Sequence, residues 1–205
     1  MFHIYGNPAS RSFRIYWLLE ELNLKYTYDP ISVKDAALPD FLKINPNAKI
    51  PALRDGDFYL FESAAIAYYI CEHSQRNSIL PFNGTRERAE TDQWMFWILS
   101  ELEQPIWWNT KNMHIWEDGK RVPNFTEQAL YEFSKHKKIV STHLSRRDYM
   151  VGGSFSVVDI YCAHTLNWAK SSHFLTESDS TLLKYIESMK SRPAFLKAKN
   201  LLKKT

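Results

Sequence analysis

The first thirty residues switch between two periods of hydrophobicity. Phe2-His3-Ile4-Tyr5 is a short β-prone run that stops at Gly6, Asn7 and Pro8. Ile15, Leu18, Leu19 and Leu22 then recur at i, i+3, i+4 and i+7, the spacing of one helical face. Lys25-Tyr26-Thr27-Tyr28 is again strand-like and ends at Asp29-Pro30. Strand, helix and strand in so short a span predict a βαβ unit with parallel strands. Its helix is expected to open near Ser10, a natural N-cap. Asp40-Phe41-Leu42-Lys43 predicts a short helix. Ile50–Arg54 and Asp57–Phe61 are β-prone runs around Asp55-Gly56, the signal of a type I′ hairpin, whose two turn residues both need positive φ. Pro51 opens the first of these runs, where a missing N–H does least harm. Glu62-Ser63 is then a polar start for a helix over Ala64–Ile70.

After residue 73 the strand signal disappears. Ser74–Thr85 (SQRNSILPFNGT) has the composition of a linker. Trp94, Trp97, Ile98 and Leu102 share one helical face, and Leu182, Tyr185, Ile186 and Met189 share another. Glu117–Lys120 and Val122–Asn124 interrupt the helical pattern. Phe155–Ile160 predicts a capping box with a staple: Ser156 as N-cap, Asp159 reaching back from N3, Phe155 packing on Ile160. The organisation expected is an α/β domain over residues 1–75, a linker over 76–85 and an all-helical domain over 86–205.

Composition narrows the function. The 205 residues are 44% hydrophobic and 24% charged, which suits a packed protein and excludes a disordered one. A net charge of +3 is too slight for a dedicated nucleic-acid binder. No apolar run reaches the length of a membrane span, and the N-terminus lacks a signal-peptide pattern. A soluble, cytoplasmic protein with neither membrane nor nucleic-acid partner is therefore expected. The two cysteines, Cys71 and Cys162, exclude a disulfide scaffold, a Cys-x-x-Cys motif and a cysteine-built zinc site. The seven histidines show no metal-ligand spacing, so no metal is expected. Aromatic residues, at 15% with seven Trp, are the one excess, enough to line an apolar pocket.

Four segments in order carry a resemblance over nearly the whole chain: YGNPASRSFRIYWLLEELNL (Tyr5–Leu24), NPNAKIPAL (Asn45–Leu53), Phe61-Glu62-Ser63 and Ser156-Val157-Val158-Asp159. They resemble the cytosolic glutathione S-transferases, in particular fungal and bacterial members with a Ser-Arg pair. Arg192-Pro193-Ala194 is similar to a common opening of the family's last helix. The resemblance implies a thioredoxin-like N-terminal domain, with a mixed four-stranded sheet and helices, followed by an all-α C-terminal domain. It implies glutathione as co-substrate, a hydrophobic electrophile as second substrate, and a homodimer. It also places a cis bond at Ile50-Pro51 and gives Glu62-Ser63 to the γ-glutamyl end of glutathione. Lys49, beside the Ile50-Pro51 backbone, is then a partner for the glycyl carboxylate.

The chemistry these residues would serve is thiol activation. A free thiol has a pKa of about 8.5, so glutathione is mostly protonated at neutral pH, whereas the thiolate is the nucleophile. A hydroxyl donor, an arginine and a helix N-terminus each favour the anion. Tyr5–Ser12 offers all three. Tyr5 with Arg11 matches the spacing of Tyr-using members. Ser10-Arg11 matches the Ser-Arg members. Asn7 occupies the position of the serine in others, where it can donate a hydrogen bond but lose no proton. Trp107, Trp108, Met113 and Trp116 fall where the family builds its electrophile pocket. The implied activity is conjugation of glutathione to hydrophobic electrophiles, with reduction of organic hydroperoxides. The alternatives are a non-catalytic binding or regulatory protein of the same fold, and a glutathione-dependent isomerase or dehalogenase.

Overall fold

In a computed structural model, residues 1–74 and 79–203 are described, so residues 76–78 of the expected linker lie outside the described residues. The chain forms two compact units, Met1–Leu80 with Lys190–Thr205, and Pro81–Met189.

The first unit is built on the predicted βαβ element. β1 (Phe2–Gly6) pairs in parallel with β2 (Tyr26–Pro30), and α1 (Phe13–Glu21) connects them. β3 (Ala52–Asp55) runs antiparallel to β1, and β4 (Phe58–Phe61) antiparallel to β3. The order β2-β1-β3-β4 is the expected mixed four-stranded sheet. Ile4 and Leu53 face each other across β1 and β3. Both are fully buried, as are Ile15, Leu18 and Leu19 of α1 and Ile66 and Ile70 of α3 (Ser63–His73). Burying such side chains stabilises a fold by about 1.5–3 kcal/mol each, which is why the apolar stripe was readable.

Two local expectations change. The hairpin turn is Gly56-Asp57, because Asp55 still pairs with Phe58. Of these two residues only Gly56 has positive φ, at 63°, so the turn is not type I′. The first helix begins at Phe13, with Ser12 in the N-cap position; Ser10 stands before it, in the turn that follows β1.

The short helix α2 (Pro39–Leu42) puts Phe41 into a small cluster with Ala36 and Ala52, against which Tyr5, Ile31, Ile44 and Ile50 pack. The last helix, α9 (Pro193–Lys199), belongs to this unit rather than to the helices before it. Phe195 meets Phe13 and Trp17 edge-on at centroid distances of 5.2 and 5.0 Å, and Arg192 binds Glu21.

The second unit is helical. α4 (Arg86–Trp97) and α5 (Gln104–Thr110) are joined by a π turn at Ile98–Leu102, and a second π turn, Lys111–Ile115, follows. Then come α6 (Phe125–Leu144), α7 (Val157–Ser171) and α8 (Ser180–Lys190). The predicted capping box forms: Asp159 Oδ2 accepts the Ser156 N–H at 2.8 Å. Asp159 is buried and also accepts from Met150 N–H and Tyr185 O–H, both at 2.8 Å. Among the described residues, no helix is long and apolar enough to cross a membrane.

Candidate active site

Strand register sets the site. Tyr5 of β1 is paired with Ala52 of β3, and Ala52 with Phe61 of β4. Three chain segments therefore meet along one end of the sheet. They are the turn leaving β1 (Asn7–Ser12), the residues entering β3 (Lys49-Ile50-Pro51), and the residues leaving β4 for α3 (Glu62-Ser63). Strands lie about 4.8 Å apart, so the row from Tyr5 to Phe61 spans about 10 Å. An extended tripeptide is of about that length.

On the β4 side, α3 begins at Ser63, and its N-cap, Glu62, makes no side-chain capping bond. The first-turn N–H groups of a helix lack partners within the helix and attract anions. Ser63 is 7% exposed, while the Glu62 side chain lies in solvent. Glu62 has φ 69°, the left-handed region that non-glycine residues seldom occupy. Such backbone strain is concentrated at binding sites.

In the middle, Ile50-Pro51 is cis. Ile50, like Tyr5, packs against the Ala36–Phe41–Ala52 cluster, and Lys49 is exposed. Asn45, which the sequence pattern did not single out, organises this loop from within. It is 2% exposed, donates from Nδ2 to the Lys49 carbonyl at 2.6 Å, and accepts the Asn47 N–H at 3.0 Å.

On the β1 side, the turn is tied by hydroxyls and one amide. Asn7 Oδ1 accepts the Ala9 N–H at 2.8 Å. The Asn7 carbonyl accepts from Ser10 twice, from N–H at 3.0 Å and from Oγ at 2.7 Å. Ser10 Oγ accepts the Ser12 N–H at 3.1 Å and lies 2.9 Å from Ser12 Oγ. Ser12 is fully buried, and its Oγ accepts the Asn7 N–H at 3.3 Å. Ser10, Asn7 and Arg11 are each partly exposed. Gly6 is required here, because a Cβ at that position would collide with Ser12 Oγ and Cβ. The sequence marks Gly6 only as the end of a strand and Ser12 only as the end of the Tyr5–Ser12 segment; no periodicity signals their contact.

Tyr5 sits differently. Its ring packs edge-on against His3 at 4.6 Å and Phe41 at 6.2 Å. Burial, only partly offset by Arg54, raises its phenol above the ordinary value, so the hydroxyl stays neutral at physiological pH.

Trp107, Trp108 and Trp116 of the second unit are brought together around a charge. The Lys111 ammonium lies 3.2 Å from the Trp108 ring centre, 5.3 Å from Trp107 and 5.6 Å from Trp116. Trp108 and Trp116 meet edge-on at 5.7 Å. Met113 is exposed, and its Sδ accepts the Thr126 hydroxyl at 3.8 Å. The expected apolar wall thus carries an ammonium in a cation–π seat. Cys71 and Cys162 are both buried, and neither is in a disulfide.

Residues 1–72 match the family model of the glutathione S-transferase N-terminal domain. The chain is 28% identical to the disulfide-bond oxidoreductase YfcG of Escherichia coli, over 95% of this chain and 92% of that protein. It is also 28% identical to glutathione S-transferase F13 of Arabidopsis thaliana, over 95% and 93%. Among solved structures, the glutathione transferase URE2P8 of Phanerochaete chrysosporium, crystallised with oxidized glutathione, superposes with a TM-score of 0.87. That match has 23% identity and covers 99% of this chain and 95% of that one.

Proposed function

Because the chain belongs to the glutathione S-transferase family, we propose that it is a glutathione transferase joining the glutathione thiolate to hydrophobic electrophiles. The row Tyr5–Ala52–Phe61 carries this reading, since it aligns a hydroxyl-rich turn, a loop and an uncapped helix start over the length of a tripeptide. Ser63 and the first-turn N–H groups of α3 hold the γ-glutamyl carboxylate, and Glu62 takes its amine. The backbone of Ile50-Pro51 pairs with the peptide, and Lys49 meets the glycyl carboxylate. The thiol then lies at the Asn7–Ser12 turn. The Ser10 hydroxyl donates to its thiolate, and Arg11 adds positive charge. Asn7 shapes the turn, and Tyr5 packs beneath.

The thiolate attacks an electrophilic carbon; a carbon–sulfur bond forms and the leaving group departs with the electron pair. With an organic hydroperoxide, two glutathione molecules are oxidised to the disulfide, and the hydroperoxide becomes an alcohol and water. Trp107, Trp108, Met113 and Trp116 contact the electrophile. The working protein is a cytoplasmic homodimer of a thioredoxin-like domain (1–75) and a helical domain (86–205), the last helix of which, α9, packs on α1.

The similarity to a disulfide-bond oxidoreductase along nearly the whole chain favours one second reading, glutathione-dependent disulfide reduction. With both cysteines buried, glutathione's own thiol would make the attack.

Retention on glutathione resin, followed by assays with aryl halides, hydroperoxides and mixed disulfides, tests both. Binding with turnover of aryl halides supports the transferase. Turnover of disulfides alone supports the second reading, and failure to bind glutathione overturns both.

A further inference from the structure

We propose that Ser12 is a positioning residue that turns the Ser10 hydroxyl into a one-way donor. The inference rests on the reading that Ser10 meets the glutathione sulfur. It follows from proton accounting around one oxygen. Asn7 O, 2.7 Å from Ser10 Oγ, is a carbonyl and can only accept, so the single Ser10 proton points to it. The contact of 2.9 Å between the two hydroxyls then has only one sense, with Ser12 donating to Ser10. The Ser12 N–H fills the second lone pair of Ser10 Oγ at 3.1 Å. Ser10 Oγ therefore accepts twice from Ser12 and has nothing left to accept with.

This matters for selecting between thiol and thiolate. A hydroxyl with an open lone pair can accept from S–H or donate to S⁻, and it stabilises both forms. A hydroxyl whose lone pairs are filled can only donate, which favours the anion alone. When sulfur arrives, the Ser10 proton swings from the Asn7 carbonyl to it, while the Ser12 donors stay in place. Hydroxyls linked in series also polarise one another, which strengthens the outward bond.

Burial keeps the device fixed. Ser12 is fully enclosed, so water does not compete for its hydroxyl. Its Oγ is further held by the Asn7 N–H. Gly6 makes the space, since a Cβ there would stand 2.7 Å from Ser12 Cβ and collide with the Ser12 side chain.

The test is the ultraviolet titration of the thiolate of bound glutathione in four proteins: wild type, Ser10→Ala, Ser12→Ala and the double variant. Ser12→Ala should raise the thiol's apparent pKa by about 0.5–1. In the Ser10→Ala background, Ser12→Ala should move it no further. Ser12→Cys, close in volume and a weak donor, should shift it the same way and serves if Ser12→Ala does not fold. An unchanged pKa in the Ser12 variants beside a shifted one in Ser10→Ala overturns this inference and leaves the transferase reading standing. Shifts that add in the double variant also overturn it. No shift in Ser10→Ala overturns this inference together with the placement of Ser10 at the glutathione sulfur.

Discussion

Arg192 grips Glu21 with two hydrogen bonds, Nε to Oε1 at 2.7 Å and Nη2 to Oε2 at 2.9 Å. The same Glu21 oxygen Oε1 accepts the Trp17 indole N–H at 2.9 Å. The pair ties α9 to α1, the helix that follows the hydroxyl-rich turn. Arg192→Ala leaves an almost enclosed carboxylate short of its cation, and it is expected to cost about 2 kcal/mol in denaturant unfolding. Arg192→Lys should recover less than half of that, because an ammonium cannot form the two-pronged pair.

Tyr5→Phe keeps the ring packed on His3 and Phe41. It should leave the pKa of bound glutathione within about 0.3 of wild type, below the effect of a single hydrogen bond. Ser10→Ala should raise that pKa and slow turnover at pH 6.5 more than at pH 8.5, because at the higher pH the thiol ionises unaided. The reverse ranking of the two variants, read by thiolate absorbance, would make the site Tyr-dependent.

Much of this architecture was legible because its signals are local. The apolar stripe Ile15–Leu22 and the Ser156/Asp159 box depend on neighbours within a turn or two, and both formed. What stayed hidden depends on residues far apart or on single atoms. Nothing in Pro193–Lys199 says that Phe195 will seat on Trp17 rather than on the helices before it. Ser10 and Ser12 are equally plausible caps by composition. The close approach of Ser12 to Gly6, which leaves no room for a side chain at position 6, appears only in three dimensions. The indoles Trp107, Trp108 and Trp116 read as an apolar wall, yet Lys111 lies one turn from the first two and folds its ammonium onto them.

Asp179 gives the stability a defined pH dependence. Burial pushes its carboxyl up. The Thr176 N–H and hydroxyl and the Lys137 ammonium outweigh that and hold it below the ordinary carboxylate value. A lowered folded pKa stabilises above the unfolded value of about 3.9 and loses that contribution as pH falls through the folded one. Asp179→Asn should therefore lower the melting temperature at pH 7 and make a smaller difference at pH 2. An equal loss at both would mean that the carboxylate charge plays no part.

Asp159→Ala removes the acceptor from Met150 N–H, Ser156 N–H and Tyr185 O–H at once. Each buried donor left unsatisfied costs about 1–3 kcal/mol, so a loss of at least 3 kcal/mol is expected in urea unfolding. A loss under 1 kcal/mol would show that the α7 start tolerates its absence.

The start of α3, with Ser63 in its first turn, is the anchor proposed for the γ-glutamyl carboxylate. Calorimetric titration of glutathione into the wild-type protein and into Ser63→Ala tests it in one experiment. Loss of a hydrogen bond to a carboxylate costs about 1–3 kcal/mol, so the variant should bind roughly 5- to 150-fold more weakly while melting at the wild-type temperature. Equal affinity in the two proteins, or no binding by the wild type, would contradict the placement of glutathione along the Tyr5–Ala52–Phe61 row.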